Sequence, residues 1–128
     1  MGNLKISTFN CNGFTSCDIK LLLEKSDIVC IQELWLSKQE INYEINNVSA
    51  IHHGFGVSPV DESSKFIHGR KYGGVAIMWN QTLDTMVEPL QLEEELGWIS
   101  GIYLTVDRRK MLILNVYLPY ERHNFECV

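Results

Sequence analysis

Glu33 stands at a place where a sheet protein can hold a metal ion. It directly follows residues 27–32, a nearly unbroken apolar run with the composition of a strand buried on both faces. Ligands of α/β proteins bind at the carboxyl ends of such strands. Because one or two carboxylates are enough to hold Mg²⁺, Glu33 is a candidate ligand. The alternative is an ordinary exposed glutamate at a strand end.

Two amides and a phenol also lie near predicted strand ends. Asn10 closes the first strand-like segment, and its amide could orient a carboxylate or bind a phosphate oxygen. The alternative is a turn asparagine that hydrogen-bonds its own backbone. Asn115 and Tyr117 share one face near the end of the last predicted strand, where a phenol can donate a hydrogen bond to a phosphate. A tyrosine of the core is the alternative for Tyr117.

Strands dominate the elements that must position these residues. Alternating or continuous apolar patterns predict strands over 4–10, 27–32, 75–79, 98–106 and 111–118, with a short one at 85–88. The charged tetrapeptide 107–110 is a plausible hairpin connection between the two longest strands. The chain is therefore predicted to be a strand-rich mixed α/β protein.

Capping patterns predict two short helices between the strands. Thr15 with Asp18 forms a weak capping box, and Ser37 with Glu40 forms a better one, with the second helix ending near residue 46. Residues 54–74 are rich in glycine, serine and charge, so we predict a loop there. The pair of glycines at its end indicates no more than a loop.

Length and composition limit the possible classes of protein. The 128 residues carry 11 Lys and Arg against 16 Asp and Glu, a net charge of −5, and predict one domain over 1–128. An apolar share of 45% is ordinary for a globular chain and excludes wholesale disorder. The acidic balance excludes a histone-like coat on nucleic acid but not a nuclease with a local basic patch. No apolar run reaches the roughly 18 residues of a membrane span.

Cysteine usage and the start of the chain bear on its compartment. None of the four cysteines forms a Cys-x-x-Cys pair, and the sequence opens directly into a strand pattern without a signal peptide. We therefore expect reduced thiols in an intracellular protein, nuclear or cytoplasmic and not secreted.

Four segments, taken in order, resemble motifs of the endonuclease/exonuclease/phosphatase superfamily. Residues 4–13 resemble its opening motif, and residues 27–33 its second motif, which ends in a Gln-Glu pair. Residues 72–77 are similar to the glycine-led strand that follows, and residues 114–119 to the Asn-x-Tyr-x-Pro motif. The resemblance covers nearly the whole chain. Within the superfamily, the motifs are most similar in character to those of the endonuclease domain of LINE-type (non-LTR) retrotransposons.

The resemblance implies a fold and a chemistry. The fold would be α/β (α+β), a four-layer αββα sandwich of which only the N-terminal half is present, and the chemistry would be divalent-metal hydrolysis of phosphate esters. Glu33 would be a Mg²⁺ (or Mn²⁺) ligand, Asn10 a weak ligand or a partner of the metal's ligands, and Tyr117 a contact of the scissile phosphate. Further phosphate or nucleic-acid contacts are expected from Asn12, Asn115, Arg70 and Lys71.

The departures from the family pattern are also informative. Tyr120 follows Pro119 where the family has Asn, and the later Asp-x-Asn and Ser-Asp-His motifs are absent from this sequence. Those motifs supply the water-activating Asp, a second metal carboxylate and the catalytic His. The four histidines here occur in no such context, and we interpret them as solvated or loop residues. The isolated chain is therefore predicted to be inactive.

Three functional hypotheses remain open on the sequence. The chain is part of a Mg²⁺-dependent, retroelement-like DNA endonuclease; or a catalytically incomplete copy that at most binds a partner or nucleic acid; or a phosphatase or phosphodiesterase with a lipid or small-molecule substrate. Half of a sandwich would also leave one sheet face open to a partner or to aggregation. The residues expected on that exposed face include Ile102, Leu104, Leu112 and Leu114.

Overall fold

Seven strands, two α-helices and one 3₁₀ helix make up the described part of the chain. The structure, a computed structural model, describes residues 3–63, 71–90, 92 and 97–118. In chain order the elements are β1 (Ile6–Asn10), α1 (Ser16–Lys25), β2 (Ile28–Gln32), α2 (Ile41–Asn46), β3 (His52–Val57), β4 (Val75–Asn80), the 3₁₀ helix (Gln81–Met86), β5 (Val87–Pro89), β6 (Ile99–Val106) and β7 (Arg109–Val116).

The strands form two sheets. The first has the order β1-β2-β4-β3, with β1 parallel to β2 and the other pairs antiparallel. The second is antiparallel throughout, with the order β5-β6-β7. In the parallel pair Asn10 lies opposite Gln32, so β1 and β2 bring their carboxyl ends to the same edge of the sheet.

The two central strands of the four-stranded sheet, β2 and β4, are buried on both faces, because their side chains alternate between two cores. On one face Val29, Ile31, Ala76 and Met78 pack against α1 and α2. On the other face Ile28, Cys30, Ile77 and Trp79 pack against Ile102 and Leu104 of the second sheet. The mixed α+β fold with two facing sheets is therefore confirmed, and the described residues form three of the four expected layers.

The two predicted helices exist, but only one begins as expected. Thr15 is the N-cap of α1, and its Oγ1 accepts a hydrogen bond from the backbone N–H of Asp18 at 3.4 Å. The Glu40 carboxylate accepts from the backbone N–H of Ser37 at 2.9 Å, but α2 begins only at Ile41 and residues 38–40 form a turn. Neither helix, nor any other in the described part of the chain, is long and apolar enough to cross a bilayer.

The prediction of a loop over 54–74 was wrong at its start, since β3 occupies residues up to Val57. The glycines that favoured a loop are required by the packing of this strand. A Cβ on Gly54 would lie 2.7 Å from the carbonyl oxygen of Ile77, and one on Gly56 would lie 2.9 Å from Cδ1 of Ile41. Glycine inside a strand here marks a close approach, not a break.

The predicted hairpin between β6 and β7 is confirmed, with a tighter turn than expected. Val106 pairs with Arg109, so only Asp107 and Arg108 form the connection. Both have positive φ angles, 50° and 67°, which is the geometry of a type I′ turn.

The prediction of an exposed sheet face holds for β7 and fails for β6. Leu112 and Leu114 are each 50% exposed. Ile102 and Leu104 are fully buried, because β6 is the central strand of its sheet and these two side chains face β2 and β4. The residues of β7 that share the outward face are Leu112, Leu114 and Val116, and we call them the β7 strip.

Candidate active site

Glu33 lies just past the end of β2 in an unusual backbone conformation. Its φ is +54°, in the left-handed region that non-glycine residues rarely adopt. Its carbonyl oxygen accepts from the backbone N–H of Gly13 at 2.8 Å and from the Cys11 thiol at 3.2 Å. These contacts with the loop after β1 hold the conformation, and strained backbone of this kind is often found at functional sites.

Tyr117 joins Glu33 from the other sheet. Its phenol donates a hydrogen bond to Oε1 of Glu33 at 2.5 Å, and its backbone N–H donates to the carbonyl of Trp98 at 2.9 Å. The hydrogen bond to Glu33, which only the protonated phenol can donate, raises the pKa of Tyr117 above its ordinary value, and burial and the negative charge of the carboxylate add to this effect. The phenol therefore stays a hydrogen-bond donor at neutral pH.

Asn10 lies at the same edge of the sheet as Glu33. It pairs with Gln32, the residue before Glu33, across the parallel strands. Its Oδ1 accepts from the backbone N–H of Asn12 at 3.1 Å, so it makes the turn that the simpler interpretation predicted. Within the described residues its amide nitrogen donates to no protein group, and the side chain is exposed. The amide can therefore serve a turn and a ligand together.

Asn115, predicted to contact a phosphate, is buried between the two sheets in this structure. Only 2% of the residue is exposed. Its amide donates to the carbonyls of Ile31 at 3.0 Å and Ala76 at 2.8 Å, and its Oδ1 accepts from Nε2 of Gln32 at 2.8 Å. These partners use both amide hydrogens and one lone pair, so Asn115 joins the two sheets.

Gln32 makes contacts that the sequence interpretation did not predict. Besides Asn115, its amide donates to Oγ1 of Thr8 at 2.9 Å, which links β1, β2 and β7. The next residue along β2 is Glu33, and two residues beyond Asn115 comes Tyr117. The Gln32–Asn115 contact therefore sets the spacing between the two residues that meet at the site. The only signal in the sequence was the Gln-Glu pair itself.

Two glycines close the site from the side of β4. Gly73 and Gly74 have φ angles of +66° and +92°, and their carbonyls accept from the backbone N–H groups of Trp35 at 2.9 Å and Leu34 at 3.2 Å. Trp35 itself has a φ of +56°. The segments after β1, after β2 and before β4 are thus hydrogen-bonded into one unit around Glu33.

Lys71, predicted to contact phosphate or nucleic acid, lies beside two acidic side chains in this structure. Lys71 pairs with the carboxylates of Glu40 at 2.5 Å and Glu62 at 2.8 Å, so two negative charges neutralise its positive charge. These pairs raise the pKa of Lys71 and help to lower that of Glu40. Arg70 lies outside the described residues. Asn12 is exposed beside Asn10, with a φ of +49°.

The donor atoms of the site fit a hard cation, although few of them are charged. Glu33 offers a carboxylate and Asn10 an amide oxygen, which are donors that Mg²⁺ accepts. Burial raises the pKa of the Cys11 thiol to about 11, so this cysteine is not a thiolate ligand at neutral pH. Among the described residues there is no group of three or more His, Cys, Asp or Glu that could hold a metal ion. The donor set suits a weak, largely hydrated site.

Comparison with known proteins agrees with this architecture. No curated protein matches the chain. Among solved structures it is similar to the 3′ phosphatase NExo from Neisseria, bound to a product DNA hairpin, with a TM-score of 0.50 and 20% identity. An AP endonuclease from Archaeoglobus fulgidus gives a TM-score of 0.48 and 19% identity. Each alignment covers 86% of this chain and 40% of the other, so this chain spans less than half of their length.

The family assignment rests on a family model that matches most of this chain. The model of the Endonuclease/Exonuclease/phosphatase family matches residues 7–123, which include Asn10, Glu33 and Tyr117. The likeness to NExo, at 20% identity, concerns the fold alone and agrees with that match. The chain therefore belongs to the endonuclease/exonuclease/phosphatase family.

Proposed function

We propose that this chain is the N-terminal portion of a Mg²⁺-dependent phosphodiester hydrolase that acts on DNA, a retroelement-like endonuclease. The observation that carries the proposal is the 2.5 Å contact between the Tyr117 phenol and the Glu33 carboxylate. This contact joins the two sheets at the edge where β1 and β2 end, and the backbone has positive φ angles at Glu33 and at Trp35. A hydrogen-bond donor beside a carboxylate can bind phosphate and cation together.

Each of the three residues has a role that its surroundings allow. Glu33 would hold Mg²⁺ or Mn²⁺, with Asn10 as a weak ligand or as a partner of the metal-bound waters. The ion would polarise the phosphate and stabilise the negative charge that develops there. Tyr117 donates its single hydroxyl hydrogen to Glu33 in this structure, and it could donate to a phosphate oxygen instead once the ion holds the carboxylate. The free amide hydrogens of Asn10 can donate to the same group.

The choice of DNA and of a retroelement source rests on different supports. NExo, which resembles this chain in fold, was solved with a DNA product, and the family is named for its endonucleases and exonucleases. The retroelement source rests on the motifs in residues 4–13, 27–33, 72–77 and 114–119.

A second candidate function is a catalytically incomplete copy that at most binds a partner or nucleic acid. Two observations favour it. At the described site Glu33 is the only carboxylate that we assign to the metal, and the described residues contain no group of three or more His, Cys, Asp or Glu that could hold an ion. The β7 strip is also exposed on an edge strand, where the remainder of such a domain, or a partner, could pack.

Two measurements on the purified chain test its metal site and its activity. The first is nicking of supercoiled or abasic DNA in Mg²⁺, and the second is Mn²⁺ binding followed by electron paramagnetic resonance. Each is made on the wild-type chain, on Glu33→Gln and on the control Glu24→Gln, which changes an exposed carboxylate on α1. The control holds net charge constant between the two variants.

We expect weak Mn²⁺ binding that Glu33→Gln abolishes and Glu24→Gln leaves unchanged. We expect no measurable nicking, because groups that act as a unit lose most of their effect when several are absent. Robust nicking that Glu33→Gln abolishes would contradict the incomplete copy and support the hydrolase. If Mn²⁺ binding is the same in Glu33→Gln as in the wild type, and no nicking is seen, both the metal site and the hydrolase are contradicted.

A further inference from the structure

Three aromatic rings form a row that ends at the candidate active site. The Tyr72 ring is stacked on the Trp98 ring, with centroids 6.0 Å apart and an angle of 28° between the planes. The Trp98 ring lies 6.1 Å from the Tyr117 ring at 35°. Tyr117 in turn donates to Glu33. We call Tyr72, Trp98 and Tyr117 the aromatic shelf.

The backbone around the shelf fixes the position of its central ring. A Cβ on Gly73 would lie 2.6 Å from Cζ3 of Trp98, so the indole packs directly on a glycine that has a positive φ. The carbonyl of Trp98 accepts from the backbone N–H of Tyr117 at 2.9 Å. The three rings come from the segment before β4, the residue before β6 and the residue after β7. Their alignment therefore depends on the tertiary fold and not on local sequence.

The outer ring of the shelf is mostly in water. Tyr72 is 54% exposed, whereas Trp98 lies between two rings and is only partly exposed. Packing between two rings explains the position of Trp98, whereas more than half of the surface of Tyr72 is exposed to solvent. An exposed ring at the outer end of an ordered stack can receive one more planar group.

The charges near the outer ring argue against a purely electrostatic role. Lys71, the neighbour of Tyr72 in sequence, is paired with Glu40 and Glu62. A phosphate would gain little there, because the positive charge is already neutralised. A flat, neutral ligand gains more, since stacking on an aromatic side chain does not depend on charge.

We propose that the aromatic shelf binds an unpaired nucleobase that neighbours the phosphate at Glu33 and Tyr117. The inference rests on the proposed function, because it names a feature of that site's substrate. Every nucleobase has a π-face, so the shelf would accept bases with little sequence preference. Bases inside a duplex are already stacked on their neighbours, so the shelf favours single-stranded, flipped or frayed positions.

The test compares two single strands with equal charge. One is oligothymidine of about 12 nucleotides, within the range of known single-strand sites, and the other has the same backbone with every base replaced by hydrogen. Binding is measured by fluorescence anisotropy in Mg²⁺ at fixed salt, because the proposed phosphate contact at Glu33 includes the ion. The variants are Tyr72→Ala, Tyr72→Trp and the control Tyr43→Ala, which removes a tyrosine of α2 that is 71% exposed.

We expect the wild-type chain to bind oligothymidine more tightly than the base-free strand. Tyr72→Ala should weaken binding of oligothymidine by about fivefold to a hundredfold, the range found for loss of one stacked base, and leave the base-free strand unchanged. Tyr72→Trp should keep the preference, and Tyr43→Ala should match the wild type. The salt dependence should not change, since stacking releases no counterions.

The possible failures are distinguishable. If Tyr72→Ala binds both strands as the wild type does, the shelf is not a base site, and the proposed function still stands. If the wild type binds both strands equally, the conclusion is the same. If the chain binds neither strand, both the shelf and the nucleic-acid substrate are contradicted. Urea unfolding of Tyr72→Ala, made alongside, shows that a lost preference is not lost folding.

Discussion

Replacing Asn115 by alanine should loosen the connection between the two sheets. The side chain makes three hydrogen bonds, with the carbonyls of Ile31 and Ala76 and with the amide of Gln32, at 3.0, 2.8 and 2.8 Å. The residue is 2% exposed, so water reaches these groups poorly. The alanine variant therefore loses three partners in a place where solvent does not readily replace them.

The expected loss follows from the number of bonds and their burial. A buried hydrogen bond contributes about 1 kcal/mol net, and a polar group left without a partner adds to the loss. We therefore expect the free energy of unfolding of Asn115→Ala to fall by roughly 2–4 kcal/mol. Because single domains have a total of roughly 5–15 kcal/mol, the variant should remain folded without denaturant but unfold much more easily.

Urea denaturation of the variants gives the test. The control is Asn47→Ala, an exposed asparagine at the end of α2, which should change the free energy of unfolding by less than about 0.5 kcal/mol. A double-mutant cycle with Gln32→Ala should give a coupling energy of about 1 kcal/mol for the Gln32–Asn115 contact. The reasoning is refuted if Asn115→Ala behaves like the control or if the coupling energy is zero.

Three further predictions concern the surroundings of the site. Gly73→Ala should lower the free energy of unfolding by at least about 1–2 kcal/mol in urea, because its φ is positive and its Cβ would meet Trp98. Burial lowers the pKa of His52 below 6.5, so the unfolded chain binds a proton at a higher pH than the folded chain does. The free energy of unfolding should therefore fall as the pH drops from 6.5 to the lowered pKa. This fall should be smaller in His52→Gln. Glu40 has a lowered pKa, chiefly through Lys71, so its contribution is present above pH 4.5 and lost as the pH falls through the lowered value. Lys71→Met should therefore destabilise the chain at pH 7 and have little effect at pH 2, and equal effects at both would argue against the ion pair.

Regular elements were predictable from the sequence because their patterns are local. The apolar run of β2 and the long hairpin of β6 and β7 follow from composition and alternation. β3 was missed because its two glycines indicate a loop unless one knows that Ile41 and the backbone of Ile77 press against them. The burial of Ile102 was missed because alternation separates two faces but does not say which face meets the other sheet.

The site was predictable only in part. The position of Glu33 after a buried strand and of Tyr117 at the end of the last strand could be read from the sequence. Their contact spans 84 positions in the chain, so only the resemblance to a family suggested it. The partners of Asn115 and Lys71 depend on which groups the fold brings near them. A buried amide and a neutralised lysine look the same in sequence as an exposed amide and a free one.

The backbone of Glu33 has a consequence for substitutions at this position. At a φ of +54°, the backbone conformation of glycine or asparagine is lower in free energy than that of glutamate, by roughly 1 kcal/mol or more. Glu33→Gly or Glu33→Asn would relieve this backbone strain but remove the carboxylate that Tyr117 contacts, so backbone stability and the proposed chemistry oppose each other at this position.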